Sequence, residues 1–272
     1  MSFDVASVRQ SNNPPSGNIV LDGLDAYFPT GGLFTSNGFL VAYIIFAYKI
    51  IDTSQYGSLA NQLPKWAQTD KFNIQARTEK HNPTKDQMRL MMQSLLEDRF
   101  KLAIHTETRQ LPVYALVLDK PGGPGPTLVP HPADVLCPDK PDRPAPVHPG
   151  SEPPSFCGAI MSWQVNGQPH MRMLDVTMEQ IADYLAAMGS GLGGLDHRPI
   201  LDRTGLSGRF DFNIEFVPEP NGPMQPSSDT QPEASGPTFT QALKNQLGLK
   251  LVKQTGPVDA YVIDHVEMPS AN

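Results

Sequence analysis

Much of this chain is written twice, which limits it to folds built from two like halves. Residues 35–76 align without a gap on residues 175–216, at a constant offset of about 140 positions. Asn37 then meets Thr177, Val41 meets Ile181, Ile45 meets Leu185, and Phe72-Asn73-Ile74 meets Phe212-Asn213-Ile214. A second gapless block, offset by about 147, pairs Phe100 with Leu247, Leu102 with Leu249, Ile104 with Leu251 and Tyr114 with Tyr261. An internal duplication of this kind predicts two similar lobes of about 110 residues each.

Local patterns predict matching elements in the two halves. Phe3-Asp4-Val5-Ala6-Ser7-Val8 alternates apolar and polar positions, as a half-buried strand does. Residues 10–36 are crowded with Gly, Pro, Ser and Asn and read as loop with at most one short strand. Ser36 or Asn37 is expected to cap a helix carrying Leu40, Val41, Ile44, Ile45 and Tyr48 on one face. Residues 72–76 read as a strand. Thr84 with Gln87 three positions on forms a capping box, opening a helix that buries Met88, Met91, Met92, Leu95 and Leu96. Two strands should follow, 101–106 and 113–119, separated at Leu111-Pro112.

In the second half a strand pair falls within 159–174, and Thr177 caps a helix to Met188 with Glu179 in its first turn. A strand at 209–216 and a helix at 239–246 come next. Gly248 ends that helix as a left-handed cap, before strands at 249–253 and 260–266. Each lobe is thus β-α-β-α-β-β, a two-layer α+β sandwich. The first spans 1–119 and the second 157–272. Residues 120–156, dense in Pro and Gly, read as a semi-rigid linker, and 218–237 as a disordered loop.

A formal charge of −7 argues against nucleic acid, whose phosphates call for a basic face. No apolar run approaches the roughly 18 residues of a membrane span; the nearest, 39–51, is interrupted by Lys49. No signal peptide is visible before the first strand, which suits a cytoplasmic protein or a mature domain whose leader has been removed. The two cysteines, Cys137 and Cys157, both lie in the Pro-rich stretch. They are either two free thiols or a disulfide closing a loop of about 20 residues, worth roughly 3 kcal/mol.

Asp175-Val176-Thr177-Met178-Glu179-Gln180, and the run from His197-Arg198-Pro199 through Asp202-Arg203-Thr204-Gly205 to Gly208-Arg209-Phe210-Asp211-Phe212, resemble the hallmark of a paralogous family abundant in Acidobacteria. That Soli-type family is built on a domain of unknown function. Leu95-Leu96-Glu97-Asp98-Arg99-Phe100, Leu111-Pro112-Val113-Tyr114 and Gly256-Pro257-Val258 agree with it, so the resemblance covers nearly the whole chain. Each lobe also resembles the short N-terminal domain of secretins and TonB-dependent receptors. Gly208-Arg209-Phe210-Asp211-Phe212 and Ala242-Leu243-Lys244-Asn245-Gln246-Leu247-Gly248-Leu249 echo that domain's G-x-F-x-F strand and its ALxxLLxxxGL helix. The resemblance implies an exported, periplasmic or secreted protein. It also implies either capture of an envelope protein segment or calcium-assisted opening of N-acyl-homoserine lactones, the signals destroyed in quorum quenching.

The ionisable residues supply several candidate sites. Asp196, His197 and Asp202 form the densest cluster on a loop, with His197 a general base and Asp196 and Asp202 oxygen ligands for Ca²⁺. The plainer reading has Asp202 organising the turn into Thr204-Gly205. His105 and Glu107 share a strand face by period two, as do His265 and Glu267, and each pair reads as a convergent site or as solvated strand residues. His81, His131, His148 and His170 sit in polar or Pro-rich surroundings and are expected at the surface. Trp66, Trp163 and tyrosines 43, 48, 56 and 114 either pack in the core or line a groove.

Gly189, Gly191 and Gly194 make a formal G-x-G-x-x-G, but they follow a helix where a dinucleotide loop must follow a strand. Ser190 lacks the spacing of a nucleophile elbow. No nucleotide, flavin or haem is expected. Two function classes survive: a hydrolase of a small ester or lactone centred on His197, Asp196 and Asp202, favoured by the family association, and a non-catalytic binding module.

Overall fold

The computed structural model describes residues 1–21, 30–51, 54–80, 82–135, 152, 156–158, 160–165, 168–188, 198–217 and 236–269. The fold is α+β. It divides into two compact units, the first chiefly Met1–Gln110 with Pro257–Asn272, the second chiefly Leu111–Lys140 with Pro144–Gly256.

In the first unit, β1 (Val5–Ser11), β2 (Ser16–Gly17), β3 (Leu33–Phe39) and β4 (Lys71–Arg77) form an antiparallel sheet of order β1-β4-β3-β2. Val8, Phe34, Phe72, Ile74 and Ala76 turn one face of it into the core. Against them lie α1 (Leu40–Ala47) and α4 (Lys85–Phe100), with α2 (Ser54–Gln62) and α3 (Lys65–Thr69) between α1 and β4 in the chain. Helix α1 is apolar along most of its length, and Leu40, Tyr43, Ile44 and Phe46 are fully buried. Thr84 and Gln87 close the capping box of α4 reciprocally, and Lys101 ends it in the left-handed conformation, φ 51°.

Ser36 and Asn37 do not cap a helix. They continue β3, because their side chains are engaged by the preceding loop: Asn37 Nδ2 donates to the carbonyls of Asn13 (2.8 Å) and Pro14 (2.9 Å), and Ser36 Oγ to that of Ser16 (3.3 Å). The helix starts after Phe39 without a side-chain cap.

The second unit repeats this plan. Strands β6 (Leu128–Pro130), β7 (Ile160–Val165), β8 (Gln168–Val176) and β10 (Phe210–Glu215) form an antiparallel sheet of order β6-β10-β8-β7. Helices α5 (Met178–Met188) and α6 (Phe239–Leu247) share its core with Met171, Met173, Phe210, Phe212 and Ile214. The two strand orders correspond position by position. The Phe-Asn-Ile strands β4 and β10 stand second, and β3 and β8, which lead into helices, stand third. Strand β6 lies inside the stretch read as linker. It is held there because Leu128 is buried in this core and opposite Phe212 in the ladder.

The strand pairs expected at each Pro-containing segment are single long strands, β5 (Ala103–Leu118) and β11 (Leu249–His265), in a sheet of order β11-β5-β9. Strand β9 (Ile200–Asp202) runs parallel to β5, pairing with Tyr114, Ala115 and Leu116. Proline interrupts a strand by withholding an N–H. Pro112 lies before the stretch that β9 pairs, and Pro257 lies on an edge strand, so neither breaks its strand. Both β5 and β11 begin in one unit and end in the other.

Candidate functional site

The polar centre of the second unit grows from one irregularity in β8. Its buried residues run Met171, Met173, then Val176, so the two-residue alternation slips by one position. The partner strand shows the same slip, with Phe210 opposite Val176 but Phe212 opposite Met173. This is a β-bulge, a device that re-aims side chains. Asp175 occupies it with φ 52°, a left-handed conformation that aspartate tolerates better than most residues.

Five other residues converge on the bulge. Asp211, between the two displaced pairs, accepts the Asp175 backbone N–H on Oδ1 at 2.8 Å. His131 Nδ1 lies 2.7 Å from the same oxygen, and its backbone N–H donates to the Arg209 carbonyl at 2.8 Å. Arg209 binds both the carboxylate and the carbonyl of Asp175. Cys157 bridges to Leu174, and Gly158 N–H donates to the Leu174 carbonyl at 2.7 Å. One ligand atom each from His131, Cys157 and Asp175 lies within 4.8 Å of the others. Cys157 is disulfide-bonded; Cys137, the chain's only other cysteine, lies outside the described residues.

The His131 side chain is only 9% exposed. Burial alone would pull its pKa down. The hydrogen bond to Asp211 and the charges of Asp211 and Asp175 prevail and raise it above the ordinary 6.5. His131 is thus half-buried rather than a surface residue, because the segment bearing it adds a strand to the sheet. His170 is also shielded, its ring stacked on Trp163 with centroids 5.4 Å apart.

Beside the bulge a groove of about 220 Å³ opens on the sheet. Asp211 and Arg172 supply charges of opposite sign to its lining, Thr127 and Asn213 are polar, and Val129 and Leu174 are apolar. The Arg172 guanidinium lies over Trp163 at 5.4 Å and pairs with Glu152.

The residues singled out from the sequence fare differently. Asp196, His197, Gly189, Gly191, Gly194, Ser190, His81 and His148 lie outside the described residues, as do 218–235 of the expected loop. Asp202 is engaged in its turn, Oδ1 accepting from the Thr204 N–H (2.9 Å) and hydroxyl (2.8 Å). His105 pairs with Asp264 at 2.7 Å in an exposed setting. The Asp264 hydrogen bond is the largest influence and raises the imidazole pKa, while the Arg109 guanidinium lowers that of Glu107. His265 meets Glu267 at 2.8 Å, also exposed.

The aromatics divide. Trp66 stacks on Phe100 in the first core, Tyr43 is fully buried and Tyr114 belongs to the second core, whereas Trp163 flanks the groove through Arg172 and His170. Sequence reasoning missed the His131–Asp175–Asp211 cluster. The three-residue spacing of Met173 and Val176 within an otherwise alternating strand was the signal available.

The family described as "Protein of unknown function (DUF3738)" matches residues 41–266. No curated protein and no solved structure matches the chain. Among the described residues no helix is long and apolar enough to cross a membrane.

Proposed function

We propose that this chain, which belongs to the DUF3738 family, is an exported binding module whose second unit holds a small amphipathic molecule in the groove beside Asp211. The groove carries this reading: an anionic acceptor and a guanidinium stand on a lining that is otherwise largely apolar. Such a lining suits a head group with a carbonyl and an N–H joined to a short apolar tail, as in an N-acyl-homoserine lactone. At about 220 Å³ it falls below the usual range of drug-sized sites, so it fits the head group and the first carbons of a tail. The disulfide at Cys157 supports a periplasmic or secreted location, since such bonds persist in oxidising compartments. The likeness of each half to the secretin short domain, and a duplication behind it, belong to the same proposal; the matching strand orders support both.

Geometry favours binding over catalysis because both charged groups of the lining are already engaged, Asp211 by His131 and the Asp175 N–H, and Arg172 by Glu152. A second reading, lactone hydrolysis, draws on one feature: His131 is oriented by a carboxylate at Nδ1, as a general base is. Calcium assistance through Asp196 and Asp202 has less behind it, since one oxygen of Asp202 serves Thr204.

Titration calorimetry with N-hexanoyl-homoserine lactone, run beside a ring-opening assay with and without calcium or EGTA, separates the readings. Binding predicts saturable uptake at one site, weakened roughly tenfold or more by Arg172→Ala, and ring opening no faster than in buffer. No saturable uptake would overturn it. Turnover lost in His131→Gln would establish the hydrolase instead.

A further inference from the structure

We infer that reduction of the Cys157 disulfide converts the bulge of β8 into a zinc site formed by His131, Cys157 and Asp175. Three separate segments of the second unit bring a sulfur, an imidazole and a carboxylate within 4.8 Å of one another. Ligand atoms around a tetrahedral zinc stand about 3.5 Å apart, so small side-chain rotations close the set. The donor types select zinc over calcium, which takes oxygen ligands only.

The surroundings match those of known ligand histidines. Such a residue normally gives its second ring nitrogen to a carboxylate, which fixes the ring and raises its basicity. His131 does so, through Nδ1 to Asp211 at 2.7 Å, so a metal would be met by Nε2, in place of the ring's hydrogen bond to the Val135 backbone. Asp175 is fixed by Arg209 and by its own backbone N–H on Asp211, so the bulge holds the carboxylate in place before any metal arrives. Three protein ligands would leave the fourth position to water.

In the oxidised protein the Cys157 sulfur is spent in the disulfide, and a disulfide sulfur is a poor ligand compared with a thiolate. Opening it takes two electrons. A dithiol gives them by exchange, becoming a disulfide itself while the protein gains two thiols. Zinc then forms a bond to the Cys157 sulfur, whose proton leaves to solvent. The site is therefore gated by redox state: closed to metal when oxidised, open when reduced.

Metal-free protein, oxidised or reduced with a phosphine (consumed as its oxide with one water), is titrated with zinc against a chromophoric chelator. Cobalt(II) is used in parallel to report thiolate ligation through its visible spectrum. The reduced protein should bind one zinc at least a hundredfold more tightly than the oxidised form, with a thiolate-to-cobalt band. Cys157→Ser should not bind under either condition. Cys137→Ser, which leaves Cys157 without a cysteine partner, should bind with no reductant present. His131→Ala and Asp175→Asn should each weaken binding at least tenfold, and Asp211→Asn by about ten- to a hundredfold. Equal affinities of the oxidised and reduced protein, or wild-type affinity in reduced Cys157→Ser, would overturn the inference. Should Cys137→Ser not fold, the cobalt spectrum of reduced wild-type protein decides: a thiolate band supports the site and its absence refutes it.

Discussion

The Oδ1 oxygen of Asp211 lies 2.7 Å from Nδ1 of His131, tying a residue from the proline-rich stretch to the central strand β10. The same oxygen accepts the Asp175 N–H. One carboxylate thus joins the chain on both sides of β10, and its charge sets the protonation of the imidazole.

That linkage gives a pH dependence with a definite sign. Burial would depress the His131 pKa, but Asp211 and Asp175 raise it above 6.5. A group whose folded pKa is raised stabilises fully below its unfolded value and loses that contribution as pH rises through the folded one. The urea midpoint should therefore fall as the pH rises above the ordinary 6.5 of the imidazole, and His131→Gln should flatten that fall. A slope unchanged in the variant would assign the effect elsewhere.

Asp202 should matter for stability alone. Its Oδ1 holds the turn through both the amide and the hydroxyl of Thr204, a buried residue. Asp202→Ala should cost about 1–3 kcal/mol by denaturant titration. Ligand uptake measured by calorimetry should stay as in the wild type. If uptake disappears while the fold persists, Asp202 belongs to a site.

The helix ends offer a matched pair of tests. Thr84→Ala and Thr238→Ala each remove a capping box and should each cost about 1 kcal/mol. Lys101 and Gly248 both end their helices in the left-handed region. Lys101→Gly relieves an L-residue of that conformation and should stabilise by roughly 0.5–1 kcal/mol. Gly248→Ala should destabilise by more than the conformational cost, since the added carbon would meet the backbone of Gly125. Thermal melts of the four variants read all these signs.

Tyr43 lies in the first core, its hydroxyl donating to the Phe72 carbonyl (2.7 Å) with the Ser36 carbonyl beside it at 3.0 Å. Burial pushes its pKa up to about 12. Tyr43→Phe keeps the ring but removes the one donor these carbonyls share, and should cost about 1–3 kcal/mol in equilibrium unfolding. A loss near zero would mean that water reaches those carbonyls.

Much of this fold was legible where one local rule acts without competition. Helix α4 shows itself through Thr84, Gln87 and its buried methionines, and α6 through Gly248. Readings failed where a distant partner outweighed a local preference. Pro112 looks like a break, yet it falls before the stretch that β9 pairs. Asn37 looks like a cap, yet the carbonyls of Asn13 and Pro14 claim its amide. The segment around Leu128 lacks any period because only three residues of it pair. His131 was obscured for the same reason, since its partner lies 80 positions away.

The two long strands make the halves of this chain inseparable by any single scission. A fragment ending at residue 119 would leave behind Tyr261 and Ile263, which pack on the first core. One starting at residue 157 would forfeit Tyr114, Leu116 and Leu128 from the second. Each half thus holds part of the other's interior, and losing either withdraws a strand from its companion. The chain has two cores, and no fragment cut between them keeps both whole.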